Sequence, residues 1–97
     1  MIYVTDKKID TDSCYKLSAD LEKLLEHGED IILDFRQTEY ISSAGLRSIL
    51  IGFKTFRNKG YDFSVINPSP FVRDIFRATG LDKVLLINDE DKKKMSK

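Results

Sequence analysis

Two adjacent serines occupy the position in this chain that is best suited to chemistry. Ser42 and Ser43 lie within the run Tyr40–Leu46. This run follows the apolar, strand-like segment Ile31–Phe35 and leads into the helix-like segment Leu46–Lys59. At a helix N-terminus, the unpaired backbone N–H groups and the macrodipole favour an oxygen ligand or a negative charge. A serine in this place can cap the helix, bind a phosphate or itself receive one, and the residues alone leave these three roles open.

The remaining reactive residue types give no pattern that predicts a catalytic, metal or cofactor site. The single cysteine, Cys14, excludes a disulfide framework and a CxxC motif, and its spacing places it on the apolar face of a helix. We therefore predict a buried, unreactive thiol. The single histidine, His27, precedes Gly28 at a helix end without a second histidine or cysteine nearby, which does not favour metal ligation. The sequence has no GxGxxG and no Walker A motif, so neither a metal nor a cofactor is predicted.

The composition is typical of a globular domain that is neither disordered nor basic. With 97 residues, 41% of them hydrophobic and 33% charged, the chain is long enough for one core, and we predict a single domain over residues 1–97. Sixteen basic and sixteen acidic side chains give a formal net charge of zero, which argues against a nucleic-acid surface. The sequence has no signal peptide and no apolar run long enough to span a bilayer, so a cytoplasmic protein is expected.

Strand-like and helix-like segments alternate along the chain. The strands are predicted from short apolar runs at Ile2–Thr5, Ile31–Phe35, Phe63–Ile66 and Val84–Ile87. The helices are predicted from the capping residues 10–13 to Gly28, over Leu46–Lys59, and from Ser69, an N-cap followed by Pro70, to Gly80. The charged residues 88–97 are predicted to form a frayed tail or a weak surface helix.

The order β-α-β-α-β-α-β predicts an α/β fold with a mostly parallel sheet. Strands that alternate with helices across short connections favour parallel pairing and right-handed crossovers. Functional residues of such sheets tend to lie at the carboxyl ends of the strands. We therefore expect Asp10–Ser13, Tyr40–Gly45 and Asn67–Pro70, which each lie between a strand and a helix, to gather at one edge.

Four short segments carry a resemblance to a known family. They are Leu33-Asp34-Phe35, Tyr40-Ile41-Ser42-Ser43-Ala44-Gly45-Leu46, Asn67-Pro68-Ser69-Pro70 and Thr79-Gly80-Leu81. In order and spacing they resemble the bacterial anti-sigma factor antagonists, which are small proteins of the STAS domain family, and the likeness covers roughly residues 8 to 88. The resemblance implies a single STAS-like domain with a mostly parallel four-stranded sheet and three to four helices.

The resemblance also implies a regulatory protein that catalyses nothing itself. Antagonists of this family bind a serine kinase that doubles as an anti-sigma factor, are phosphorylated by it, and are dephosphorylated by a metal-dependent serine phosphatase. In the commonest motif, Asp-Ser-Ser-Gly-Leu, the phosphorylated serine directly precedes the glycine. Here that position is Ala44. The resemblance therefore moves the predicted phosphorylation site to Ser43, with Ser42 as the second choice.

The predicted partner-binding residues surround this motif and comprise Asp10, Tyr40, Ser42, Ser43, Arg47 and Phe71. Arg47, one turn into the helix, could hold a phosphate or orient the kinase, or could be a solvated charge. Phe71 lies outside the inner apolar stripe of the third helix, which favours an exposed contact. Tyr40 could be a recognition aromatic or a packed wall. Asp10 matches an acidic residue common in the family's switch-side loop, and capping is its alternative role.

Two other classes of function compete with the phosphorylation switch. The STAS fold could serve as a scaffold, or as an accessory subunit of a signalling assembly or a membrane transporter, without phosphorylation. A small enzyme of flavodoxin-like topology is the third possibility. The loops after the strands lack a glycine-rich phosphate cradle and a plausible catalytic group, which argues against an enzyme. The small size and the mixed surface favour a monomer.

Overall fold

The computed structural model describes residues 1–88 of the chain. The strands are β1 (Ile2–Val4), β2 (Lys8–Ile9), β3 (Ile31–Asp34), β4 (Tyr40–Ile41), β5 (Phe63–Ile66) and β6 (Leu86–Asn88). The helices are α1 (Ser13–Leu25), α2 (Ser43–Asn58), α3 (Pro70–Thr79) and α4 (Leu81–Val84). The predicted tail over residues 88–97 lies, apart from its first residue, outside the described residues.

The main sheet is four-stranded and parallel, in the order β1-β3-β5-β6. The predicted α/β class, the alternation of strands and helices and the parallel pairing are therefore confirmed. A second parallel sheet contains only β2 and β4, in which Lys8 pairs with Tyr40 and Ile9 with Ile41. This small sheet was not predicted, because strands of two residues are too short to show an alternating pattern.

Two predicted boundaries were wrong. Helix α2 begins at Ser43 instead of Leu46, because Ser42 provides its N-cap. The predicted strand Val84–Ile87 is divided between the end of α4 and the start of β6. Gly80, with a left-handed φ of 81°, ends α3, and the chain makes one further helical turn before β6. A short apolar run has the same composition in a buried turn and in a buried strand, so periodicity alone does not separate them.

The core lies between the main sheet and the three long helices. Alternation along the strands turns Ile31, Leu33 and Phe35 to one face, and all three are buried. The ring of Phe35 meets Phe76 of α3 edge-on at 5.6 Å between centroids. Phe63, the register partner of Ile31, contacts α2 in the same way. Each such buried side chain contributes about 1.5–3 kcal/mol relative to exposure, and this packing holds the N-termini of α2 and α3 at one edge of the sheet.

The single cysteine and the single histidine lie at opposite ends of α1. Cys14 is buried in α1, as predicted, and its thiol donates to the Thr11 carbonyl at 3.2 Å. His27 is exposed beyond the end of α1. Within residues 1–88, no group of three or more histidine, cysteine, aspartate or glutamate side chains could hold a metal ion. None of the helices in this range is long and apolar enough to cross a membrane.

Candidate functional site

The three predicted loop segments converge at one edge of the molecule, which we call the switch edge. The Ser42 backbone N–H donates to the Ile9 carbonyl at 2.9 Å, which joins the Tyr40–Gly45 segment to the residue before Asp10. The Ser69 hydroxyl donates to the Thr38 carbonyl at 3.3 Å, which joins the start of α3 to the β3–β4 loop. The switch edge therefore forms as the strand order predicts, and hydrogen bonds between residues distant in sequence fix its geometry.

Ser42 is the N-cap of α2. Its backbone is extended (φ −84°, ψ 173°), and its hydroxyl accepts the Gly45 N–H at 3.1 Å. Its carbonyl accepts the Leu46 N–H at 2.9 Å, which is the first hydrogen bond of the helix. Such a cap typically stabilises a helix by about 1 kcal/mol relative to alanine. The Ser42 hydroxyl is therefore engaged in holding the helix start, as the capping alternative predicted.

Ser43 differs from its neighbour in both exposure and bonding. It is the first residue of α2 and is exposed, and within residues 1–88 its hydroxyl has no hydrogen-bond partner. The next residue, Ala44, is half-buried, packs against the core and carries no hydroxyl. Among Ser42, Ser43 and Ala44, only Ser43 presents a hydroxyl oxygen without a hydrogen-bond partner to solvent at the positive end of the helix dipole.

Gly45 allows α2 to approach β2 more closely than any other residue would. A Cβ at this position would lie 2.5 Å from the Ile9 carbonyl oxygen and 2.8 Å from the Ile9 Cγ2 atom. Sequence reasoning used this glycine only as a register mark. Its packing role depends on a contact with Ile9, which lies far upstream in the sequence. The only local signal of a close approach is the glycine itself, in the first turn of a helix.

Asp10 has the structure of a capping residue. Its Oδ1 atom accepts the backbone N–H groups of Asp12 (3.1 Å) and Ser13 (3.0 Å) at the start of α1. The hydrogen bonds from the Ser13 backbone and hydroxyl hold the pKa of the Asp10 carboxyl below its ordinary value, with a smaller contribution from Asp12. The carboxylate is therefore ionised at neutral pH and lies one residue beyond the Ile9–Ser42 hydrogen bond. A role in partner binding stays a prediction.

Tyr40 and Phe71 form an exposed aromatic pair beside the serines. Their rings stack at 6.3 Å between centroids with an interplanar angle of 23°, and each side chain is 44% exposed. Tyr40 therefore packs on one face and is open to solvent on the remainder, and its role as a recognition aromatic stays a prediction. Phe71 is exposed, as its place outside the inner stripe predicted.

A cleft of about 360 Å³ adjoins this aromatic pair and was not predicted. Its lining comes from three separate segments of the chain, which contribute Lys7, the β3–β4 loop with Arg36 and Glu39, and Phe71 at the start of α3. Side chains of both charge signs and an aromatic side chain therefore contribute to the same cleft. No single stretch of sequence contains enough of these residues to signal the cleft.

A buried aspartate ties the loops beneath the cleft together. Asp34, at the end of β3, is 0% exposed. Its Oδ1 atom accepts the Arg36 N–H at 2.9 Å and the Asn67 amide at 3.2 Å, while Oδ2 pairs with the Arg36 guanidinium (Nε 2.7 Å, Nη2 2.5 Å). Burial alone would raise the pKa of Asp34, but the hydrogen bonds from Arg36 and Asn67 bring it below the ordinary value of 3.8.

Replacing Asp34 by asparagine is expected to lower the free energy of unfolding at pH 7 by about 2 kcal/mol, because charge-assisted hydrogen bonds are lost. Since the folded pKa lies below the unfolded one, the carboxylate contributes its stability above pH 4 and loses it as the pH falls through the folded pKa. Urea unfolding should therefore show a larger difference between wild type and variant at pH 7 than at pH 3. Asp74→Asn, in an exposed pair with Arg77, is the matched control with little effect. A difference that is equal at both pH values would contradict the assignment.

The sequence matches the family model of the STAS domain over residues 1–93, and the chain therefore belongs to the STAS domain family. The resemblance on which the expected fold rests is thus confirmed. Over 66 residues the chain is 35% identical to BtrV of Bordetella bronchiseptica, which is named as a candidate anti-sigma factor antagonist. That similarity covers 67% of this chain and 57% of BtrV, so the chain spans little more than half the length of this relative.

Solved structures support the same fold. TM1081 of Thermotoga maritima, also named as a candidate anti-sigma factor antagonist, has a TM-score of 0.82 at 20% identity and covers 98% of this chain and 85% of its own. The Bacillus cell fate determinant SpoIIAA, solved in its phosphorylated form, has a TM-score of 0.69 at 18% identity, with 98% and 87% covered. At these identities, the similarity establishes the fold of the chain.

Proposed function

We propose that this chain is a non-enzymatic regulatory binding module of the anti-sigma factor antagonist type. It binds a serine kinase that acts as an anti-sigma factor in the cytoplasm, and phosphorylation of Ser43 releases the partner. The observation that carries this proposal is the exposed Ser43 hydroxyl, which has no hydrogen-bond partner within residues 1–88, at the N-terminus of α2. The names of BtrV and TM1081 support the class of function, since both are candidate anti-sigma factor antagonists.

The chemistry requires an accessible hydroxyl and nothing else from this chain. The Ser43 oxygen attacks the γ-phosphorus of ATP bound to the kinase, an O–P bond forms, and the β–γ anhydride bond breaks to release ADP. The hydroxyl proton passes to a base of the kinase. Ser42 is the weaker acceptor, because its oxygen already accepts the Gly45 N–H as the helix cap. A metal-dependent serine phosphatase would hydrolyse the phosphate ester and restore the binding form.

Phosphorylation should act on the partner and leave the fold intact. A phosphoserine carries about −1.5 to −2 charges at neutral pH. At a helix N-terminus, negative charge is favourable by roughly 0.3–1 kcal/mol, so α2 accommodates it. A kinase surface buried against Ser43 would instead enclose added negative charge without a matching cation of its own, which costs several kcal/mol. The switch therefore works by electrostatics and desolvation at the interface.

The experiment that tests the acceptor uses a cognate serine kinase of the anti-sigma factor type, together with ATP. Wild type, Ser43→Ala and Ser42→Ala are incubated with it, and the phosphate is located by mass spectrometry. We expect one phosphate on wild type and on Ser42→Ala, at Ser43, and none on Ser43→Ala. Phosphate at Ser42 in the wild type would move the switch to the cap. No phosphate on any of the three proteins would favour the STAS scaffold instead.

A further inference from the structure

Arg47 lies one helical turn after Ser43 on α2. Both residues are exposed, and Arg47 follows Ser43 by four positions in an uninterrupted helix. Side chains at positions i and i+4 of a helix are neighbours, with about 5–6 Å between their Cβ atoms. Any charge added to the Ser43 oxygen would therefore appear within reach of the Arg47 guanidinium.

Arg47 differs from the other arginines in having no partner in the part of the chain that the structure describes. Arg36 pairs with Asp34, and Arg77 pairs with Asp74. The guanidinium of Arg57 lies over the ring of Phe53. Arg73 also has a partner. Within residues 1–88, Arg47 alone has neither an ion pair nor a hydrogen bond nor a ring contact. Its charge is therefore available to a group that the unmodified protein does not carry.

Charged groups near the serines are also contributed by β2 and the segment after it. Asp10 follows Ile9, whose carbonyl binds the Ser42 N–H, and its carboxylate is ionised at neutral pH. Lys8, the register partner of Tyr40, is exposed on β2. A phosphate on Ser43 would thus be added near one existing negative charge. The positive charge that shares its own helix face belongs to Arg47.

We propose that Arg47 is the intramolecular counter-ion of phosphorylated Ser43 and acts as a positioning residue for the phosphate. An acidic group that precedes a basic group by four residues has the favoured orientation on a helix, and a guanidinium can bind phosphate oxygens through two hydrogen bonds. Phosphorylation then changes the switch edge twice, since it adds negative charge and also withdraws Arg47 from the partner. This inference rests on the proposed function.

The test places phosphoserine at position 43 by translational incorporation, so that no kinase is needed. The second pKa of the phosphate, ordinarily about 6, is measured by ³¹P NMR titration at low salt. Arg47→Gln should raise this pKa by about 0.3 or more, which corresponds to an i,i+4 ion pair. Asp10→Asn should lower it. Arg47→Lys should restore part of the wild-type value, because it keeps the charge but loses the two-point geometry.

Lys54→Gln is the matched control, since Lys54 is exposed on the same helix and the change removes the same net charge further from Ser43. A pKa that changes equally in Arg47→Gln and Lys54→Gln would overturn the proposal. An Arg47→Gln value that exceeds the Lys54→Gln value would support it. The pKa measurement does not depend on recognition by a kinase. If the kinase failed to modify Ser43, the proposed function would be contradicted, while the pKa values would still decide whether Arg47 pairs with the phosphate.

Discussion

Replacing Gly45 by alanine is expected to lower the free energy of unfolding by about 2 kcal/mol, although alanine is the better helix former. The added Cβ would lie 2.5 Å from the Ile9 carbonyl oxygen, which is backbone and cannot rotate away. Overpacking of this kind costs up to about 3 kcal/mol, and the gain in helix propensity offsets about 1 kcal/mol of it. Helix α2 can relieve the contact only by moving away from β2, and this would also displace Ser43.

Gly52→Ala is the matched control on the same helix. Its Cβ would meet the Leu21 Cδ1 atom at 2.7 Å, and this atom is the end of a flexible side chain that can rotate. Both variants gain the same helix propensity, so the difference between their urea unfolding curves isolates the contact with β2. If Gly45→Ala unfolds at the same urea concentration as wild type or Gly52→Ala, the close approach of α2 to β2 is not required.

The second large effect is expected when the exposed aromatic pair is truncated. Tyr40 and Phe71 are each 44% exposed and stack on one another beside the serines. Aromatic residues are enriched in interfaces, and tyrosine is enriched among the few interface residues whose truncation costs about 2 kcal/mol or more of binding free energy. The double variant Tyr40→Ala, Phe71→Ala should therefore bind the cognate kinase at least about 30-fold more weakly. Its fold should be retained, because both rings lie at the surface.

Tyr15→Ala provides the control for this experiment, since Tyr15 on α1 is 72% exposed and its ring is not part of the Tyr40–Phe71 stack. Isothermal titration of the kinase with each variant gives the affinities, and the two single variants show whether the rings act together. Because the rings touch, the single effects should not add to that of the double variant. Equal affinities for the double variant and Tyr15→Ala would remove the aromatic pair from the binding surface.

The features predicted correctly are those that depend on local sequence. Ser69 followed by Pro70 indicates a helix start by itself, and the structure has the Ser69 hydroxyl accepting the Val72 N–H at 3.3 Å. Gly80 likewise ends α3 through its left-handed backbone. The loops gather at one edge because strands and helices alternate along the chain, and this alternation favours parallel strands whose carboxyl ends lie together. Such signals require only a few neighbouring residues.

The features that were missed depend on contacts between residues distant in the sequence. The pairing of Ile9 with Ile41 creates the small second sheet, and neither two-residue strand has a pattern of its own. The contacts of Asp34 with Asn67, and of Tyr40 with Phe71, join segments that only the folded core brings together. A sequence can mark these residues as polar or apolar, but it does not state their partners. The predicted phosphorylation and partner-binding residues stay predictions, because their roles depend on contacts with other proteins.

The central claim is that a phosphate on Ser43 releases the partner without unfolding this chain. Calorimetric titration of the cognate kinase with unmodified protein and with protein that carries phosphoserine at position 43 tests it most directly. We expect an affinity at least about 100-fold lower for the phosphorylated protein, since Arg47 balances at most one of the two phosphate charges and burial of the other costs about 3 kcal/mol or more, together with a melting temperature that does not fall. Equal affinities for the two forms, with both proteins folded, would contradict the switch.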